Sequence, residues 1–249
     1  MTLKVIAYAR NGHTDKFGIP RQSREDSPIL TRIVFEPGYS VPEALRGIEG
    51  FSHLWLLWGF SEVSRSRDAE TSKEEDAVSN WSPTVRPPRL GGNMRMGVFA
   101  TRSPFRPNPI GLSSVRLIGI NGLGDESVSG KIELIVSGAD VLDGTPIYDI
   151  KPYLSFSDSH PDARNGFAEE TKDRTLDVEF CIAENQHEIS TKLAPNTLQE
   201  IRYILSQDPR PAYQDDPERE YKMDYAGYTV SFFVKDQTVF VKKIEKTEK

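Results

Sequence analysis

Three prolines spaced through an arginine-bearing loop, with an apolar run on each side, set the first constraint on this chain. The stretch from Arg95 to Leu117 reads RMGVFATRSPFRPNPIGLSSVRL. Gly97-Val98-Phe99-Ala100 predicts a short buried strand, and Leu112, Val115 and Leu117 belong to a second. Between them, Pro104, Pro107 and Pro109 fix their own φ and hold Ser103, Arg106 and Asn108 extended. A stiff loop rich in cationic and amide donors reads as a prebuilt binding surface, its ordering cost met during folding. A proline-rich turn with solvated arginines is the plainer alternative. Charge favours the binding reading. From Ala77 to Asn121 there is no Asp or Glu, while Arg86, Arg89, Arg95, Arg102, Arg106 and Arg116 fall in the same span of a chain whose net charge is -6. Such a local positive field concentrates anions, and arginine suits bidentate recognition of phosphate or carboxylate.

The rest of the chain bounds the fold. Its 249 residues can bury a full core and form one large or two small domains. A single cysteine, Cys181, permits no internal disulfide and fits a reducing compartment. No 18-residue apolar run and no signal-like leader occur, so the expectation is a cytoplasmic protein without a membrane span. Strands are predicted at Leu3–Ala9, Ile29–Glu36, Phe51–Phe60, Leu112–Asn121 and Lys131–Val136, with a short helix at Pro42–Ile48. The loop Arg10–Pro28 is too long for an idle connection, so it is functional or disordered. Ser61–Asn80 reads as a polar, mobile insertion. Nearly all strands and loops through Tyr153 predict a mainly β fold, a closed barrel or twisted sheet over residues 1–155. A linker over 156–174 and a small α+β domain over 175–249 follow, with an alternating strand at Leu176–Ala183, a helix at Leu198–Leu205 and a hairpin turning at Lys235-Asp236-Gln237.

Several motifs dissolve on inspection. Gly122-Leu123-Gly124-Asp125-Glu126-Ser127 approaches a dinucleotide fingerprint, but a strand pattern follows it where a helix is needed. His13, His53, His160 and His187 are far apart, and with one cysteine they make no metal spacing, so no metal is expected. His53 reads as a hydrogen-bonded core histidine, and Trp55, Trp58 and Phe60 as core aromatics. The carboxylates Asp140, Asp143 and Asp149, followed by Lys151 and Tyr153 and stiffened by Pro146 and Pro152, form either a site or ordinary turns.

GVFATRSPFRPNPIGLSSV, preceded by VRPPRLGGN and followed by DVLDGTPIYDIKPY, resembles the TsaA-like (TrmO-type) tRNA methyltransferases. PRQ at Pro20–Gln22, GFSHLWLL at Gly50–Leu57 and DPRPAY at Asp208–Tyr213 match in the same order. The resemblance implies an N-terminal β-barrel, a homodimer, and S-adenosylmethionine bound without a Rossmann domain. It also implies methylation of the exocyclic amine of threonylcarbamoyl-adenosine at tRNA position 37. By similarity the cofactor would touch Ser23, Arg24, Glu25, Glu62, Val63, Arg102, Leu112, Ser137, Gly138, Ala139 and Asp140. Ser23-Arg24-Glu25 departs from the Pro-Gly sequence such a motif carries.

Within that frame the chemistry asks for alignment of a poor nucleophile and an acceptor for its proton. Asp143 or Asp149 would be the acceptor, with Lys151 and Tyr153 orienting the substrate. Arg86, Arg89, Arg95 and Arg106 are candidates for RNA contact, Tyr213 for stacking on the base, and Arg210 for the carboxylate of the threonyl group. The competing readings are a non-catalytic RNA- or nucleotide-binding barrel and a transferase acting on a small-molecule amine.

Overall fold

The structure, a computed structural model, describes residues 2–20, 22–60, 81–87, 94–122, 131–171, 175–181, 193–210 and 216–247. Its first half is strand-rich: β1 (Ala7–Arg10), β2 (Leu30–Phe35), β3 (His53–Gly59), a two-residue ribbon of β4 (Thr84–Val85) and β5 (Met96–Gly97), β6 (Ile110–Asn121), β7 (Glu133–Ser137) and β8 (Pro146–Pro152). Six of these pair antiparallel in the order β1-β2-β7-β6-β3-β8, and Ala7 opposite Ile147 joins β8 back to β1, so the sheet closes on itself. Alternation decides what enters it. Along β3, Leu54, Leu56 and Trp58 are buried in the interior, while His53, Trp55 and Leu57 face outward. Ala7 and Ala9, fully buried on β1, leave room for the larger side chains opposite.

Two expectations change here. Gly97–Ala100 is not a buried strand: β5 ends at Gly97, Val98–Ala100 form one 3-10 turn, and Phe99 is 72% exposed. Apolar residues in a short run mimic a strand, but a turn can bury one of them, here Val98, and leave its neighbour outside. The helix expected at Pro42–Ile48 is instead a pair of 3-10 turns, Pro42–Leu45 and Ile48–Gly50, interrupted at Gly47, whose φ is 86. β8 was not foreseen, because its two prolines read as loop. Both lie at the ends of the strand, where a missing N–H is tolerated.

The second half is a four-stranded sheet with order β10-β11-β12-β9, built from β9 (Asp177–Phe180), β10 (Tyr221–Tyr225), β11 (Tyr228–Lys235) and β12 (Thr238–Lys246). Before it, the stretch read as a linker carries the one-turn helix α1 (Ser155–Asp158). The longer helix α2 (Pro195–Ser206) packs Ile201, Ile204 and Leu205 onto the sheet. The loop between β1 and β2 joins the halves. Phe17 and Ile29, both from that loop, belong to the C-terminal core. The Ala226 amide donates to the Gly12 carbonyl at 2.8 Å, and Gly18, at φ +100, lies against Met223. Of the two readings given for this loop, disorder is overturned, because its described residues pack on the C-terminal core. Ser61–Asn80, with Glu62 and Val63, lies outside the described residues, as do Arg89 and Tyr213.

Candidate active site

The loop from Ser23 to Asp26 returns from the C-terminal half and docks on the barrel where β6 and β7 meet the segment 137–140. The Ser23 hydroxyl donates to the Ser114 carbonyl, and the Ser23 amide favours the ionised form of the Asp140 carboxyl. Gly138 sits at φ +83, and a Cβ there would lie 2.6 Å from the Arg24 carbonyl oxygen. Two stretches far apart in sequence are thereby in main-chain contact, with no room for a side chain between them. Burial pushes the Asp140 carboxyl above its ordinary value; the Ser113 hydroxyl, its own amide, the Arg102 charge and the Ser23 amide oppose the rise. Of the residues expected to hold a cofactor, the structure thus brings together Ser23, Arg24, Arg102, Gly138 and Asp140, flanked by buried Ser137 and Ala139. Glu25 lies apart from them, 3.6 Å from His53 Nε2.

A second cluster sits on the outer face. A cleft of about 160 Å³ is lined by Trp55, Leu57, Leu112, Asp149 and Lys151. Strand register explains it: Leu57 stands opposite both Leu112 and Asp149, and Trp55 opposite Lys151. Lys151 Nζ is 2.6 Å from Asp149 Oδ2, and Tyr153 packs against Trp55 with ring centroids 5.4 Å apart. The expected Leu112, Asp149, Lys151 and Tyr153 therefore share one surface. His53 and Trp55 are corrected by the same register. They face outward, with Trp55 Nε1 donating to Asp158 at 2.8 Å and His53 Nδ1 2.9 Å from the Ser52 hydroxyl.

Asp143 stands elsewhere. Its carboxylate accepts from the Asn11 amide at 3.1 Å and from Arg10 at 3.4 Å, and its own amide donates to the His13 carbonyl at 2.8 Å. With Gly144 at φ +78 this is a turn that anchors the joining loop. Arg210 is 5% exposed and bidentate on Asp208, at 2.8 and 3.1 Å. A buried guanidinium held in a fork is engaged within its own turn. Arg86 is exposed beside β4, and Arg95 bonds Thr84 across the ribbon at 2.8 Å. Arg106 donates to the Thr101 carbonyl at 3.2 Å, bracing the proline loop.

Sequence reading missed Ser113, Trp58 and Asn11. Asn11 donates to Thr31 Oγ1 and the Val141 carbonyl at 3.3 and 3.0 Å, and its side-chain oxygen accepts from the His13 amide at 2.9 Å. Ser113 had a readable signal, a polar residue at an inward position of an alternating strand.

A family model described as tRNA-methyltransferase O N-terminal domain matches residues 8–159, and one described as TrmO C-terminal domain matches residues 173–247. The chain belongs to the tRNA-methyltransferase O family. It is 41% identical over 213 residues to a tRNA (adenine(37)-N6)-methyltransferase of Escherichia coli (strain K12), covering 84% of this chain and 82% of the relative. A protein of the same description from Eikenella corrodens is 43% identical over 198 residues, 80% of this chain and 99% of its own. A crystal structure of TrmO from Pseudomonas aeruginosa superposes with a TM-score of 0.72 at 32% identity, covering 98% of each chain. The Asp140 cluster and the outer cleft both fall within the tRNA-methyltransferase O N-terminal match.

Proposed function

We propose that this protein is an S-adenosylmethionine-dependent tRNA methyltransferase acting on the exocyclic N6 amine of adenine 37, carrying its threonylcarbamoyl group. Family membership supplies the reaction class, and relatives matched over most of their length are described as tRNA (adenine(37)-N6)-methyltransferases. The observation that carries the reading is the convergence of Ser23, Arg102, Gly138 and Asp140 from three separate stretches. This set fits the cofactor chemically: a desolvated carboxyl for hydroxyl or ammonium donors, an arginine for a carboxylate, and a main-chain cradle that a Cβ would fill. Glu62 and Val63 belong to the same proposal.

The cofactor, when bound, supplies an activated methyl group to a nucleophile whose lone pair is delocalised into the ring. The protein's own task is to hold and orient. In this reading Asp149 takes the amine proton, Lys151 holds its carboxylate in place, and Tyr153 with Trp55 orients the substrate. The Lys151 pair at 2.6 Å supports that assignment, and the engagement of Asp143 with Arg10 and Asn11 favours Asp149 over it. Trp55, Leu57 and Leu112, the last 55% exposed, offer an apolar surface for a second copy, which supports a homodimer. Arg86, Arg89, Arg95 and Arg106 meet tRNA phosphates, Tyr213 stacks on the base, and the enzyme works in the cytoplasm.

Calorimetric titration with S-adenosylmethionine, with and without threonylcarbamoylated tRNA, followed by a methyl-transfer assay, tests the proposal. Binding in the micromolar range with methyl incorporation is expected, and Arg102→Ala weakens cofactor binding more than tRNA binding. No cofactor binding under either condition refutes it. Arg86→Ala lowers the slope of log affinity for tRNA against log salt by about one, with little change in sequence preference. An unchanged slope removes Arg86 from the RNA surface.

A further inference from the structure

Inside the closed sheet, two polar side chains stand among apolar ones. Trp58 is 6% exposed and Ser113 2%. The indole Nε1 donates to Ser113 Oγ at 2.8 Å, and Ser113 Oγ donates to Asp140 Oδ1. The direction is set by chemistry, because an indole nitrogen can only donate. The Ser113 hydroxyl therefore accepts from Trp58, and its single hydrogen goes to Asp140. Oδ1 is held as an acceptor, and the carboxylate keeps lone pairs for a further donor.

The indole that starts this series is itself fixed. Trp58 pairs with Gly111 across β3 and β6, and a Cβ on Gly111 would overlap the indole ring. Phe60 closes on it edge-to-face with centroids 4.4 Å apart. The absence of a side chain at 111 lets the ring lie across the neighbouring strand and aim its N–H two residues along it.

We infer that Trp58 and Ser113 are positioning residues that hold Asp140 with one oxygen presented to a hydrogen-bond donor of the cofactor. This rests on the methyltransferase reading above. A valine or alanine at position 113 would suit the interior equally well for packing, so the hydroxyl has a use beyond the core. Among the described residues, the groups that act on Asp140 are the Arg102 charge, the Ser23 amide, its own amide and the Ser113 hydroxyl. Removing the hydroxyl leaves burial less opposed, so the carboxyl keeps its proton to higher pH and loses acceptor strength.

The test uses the full chain with S-adenosylhomocysteine as probe. Its affinity is measured by calorimetry from about pH 5 to about pH 8, and the Asp140 carboxyl is followed by carbon-13 resonance over the same range. Ser113→Ala is expected to weaken binding about tenfold at neutral pH and to raise the Asp140 midpoint. Ser113→Thr, which keeps the hydroxyl, restores both. Trp58→Phe shifts both in the same direction by less. Unchanged affinity and midpoint in Ser113→Ala, or a threonine variant no better than alanine, overturns the inference. A wild-type protein that binds no probe refutes the methyltransferase reading instead. The Asp140 midpoint then still decides the relay: a rise in Ser113→Ala upholds it and an unchanged midpoint ends it.

Discussion

Gly138→Ala is expected to weaken S-adenosylmethionine binding at least tenfold while the strands around it remain folded. Two penalties coincide at this position. The backbone is at φ +83, where an alanine is strained by about 1–2 kcal/mol. The new methyl would also lie 2.6 Å from the Arg24 carbonyl oxygen. That neighbour is main chain and cannot swing aside, so the loop from Ser23 to Asp26 must retreat. With it goes the favourable influence of the Ser23 amide on the Asp140 carboxylate. Gly47→Ala is the matched control. Its φ is +86, but nothing lies within 4 Å of its Cβ position, so it carries the strain without the collision. Calorimetry and thermal melting on both variants separate the effects. Gly47→Ala loses about 1–2 kcal/mol of stability, Gly138→Ala loses at least as much, and only Gly138→Ala loses affinity for the cofactor. Wild-type affinity in Gly138→Ala would show that contact between these two stretches is irrelevant to binding.

The second large effect is acid lability at the junction of the two halves. His13 is 2% exposed, packs edge-on against Tyr225 with centroids 5.1 Å apart, and its Nε2 has no hydrogen-bond partner among the described residues. Burial lowers its pKa from 6.5 to about 4. The unfolded chain therefore takes up a proton below about pH 6.5 that the folded one refuses until about pH 4. Stability is complete above that window and falls as pH drops through it. The loss amounts to about 3 kcal/mol at the acid end. His13→Leu removes the titration, so its unfolding free energy, followed by denaturant at pH 7 and pH 4, falls by about 3 kcal/mol less than wild type over that interval. Parallel curves for the two proteins would mean that His13 is solvated in the folded state. Gly12 beside it shows how close the junction is, since a Cβ there would lie 2.6 Å from the Tyr225 ring.

The same loop explains why the site was only partly legible. Apolar and β-rich runs found β2, β3 and β6, and period-two alternation found β9 and β12, because one face of each is buried and burial writes itself into residue type. The helix α2 and the hairpin at Asp236 were readable for the same local reasons. Motif resemblance pointed to both Ser23 and Asp140, but nothing local says that Ser23 acts on the Asp140 carboxylate across more than a hundred residues. The carboxylates Asp143 and Asp149 looked alike in sequence. Only the closed sheet sends one into the anchoring turn with Arg10 and the other to the outer cleft with Lys151. Arg210 and Arg86 were both read as facing the tRNA, and burial separates them.

By itself the sequence determined a strand-rich chain with a stiff, arginine-bearing loop and an α+β tail, because these follow from alternation, proline geometry and local charge. The tertiary structure decided which strands face each other, and so which side chains meet. Registers that set Trp58 over Gly111 and Leu57 beside Asp149 depend on sheet closure, a property of the whole ring. The loop from Asn11 to Ser27 acquired its course from apolar contacts with a core more than a hundred and fifty residues away. Hydrophobic burial is non-directional, so residue type tells that Phe17 and Ile29 must be covered but not by what.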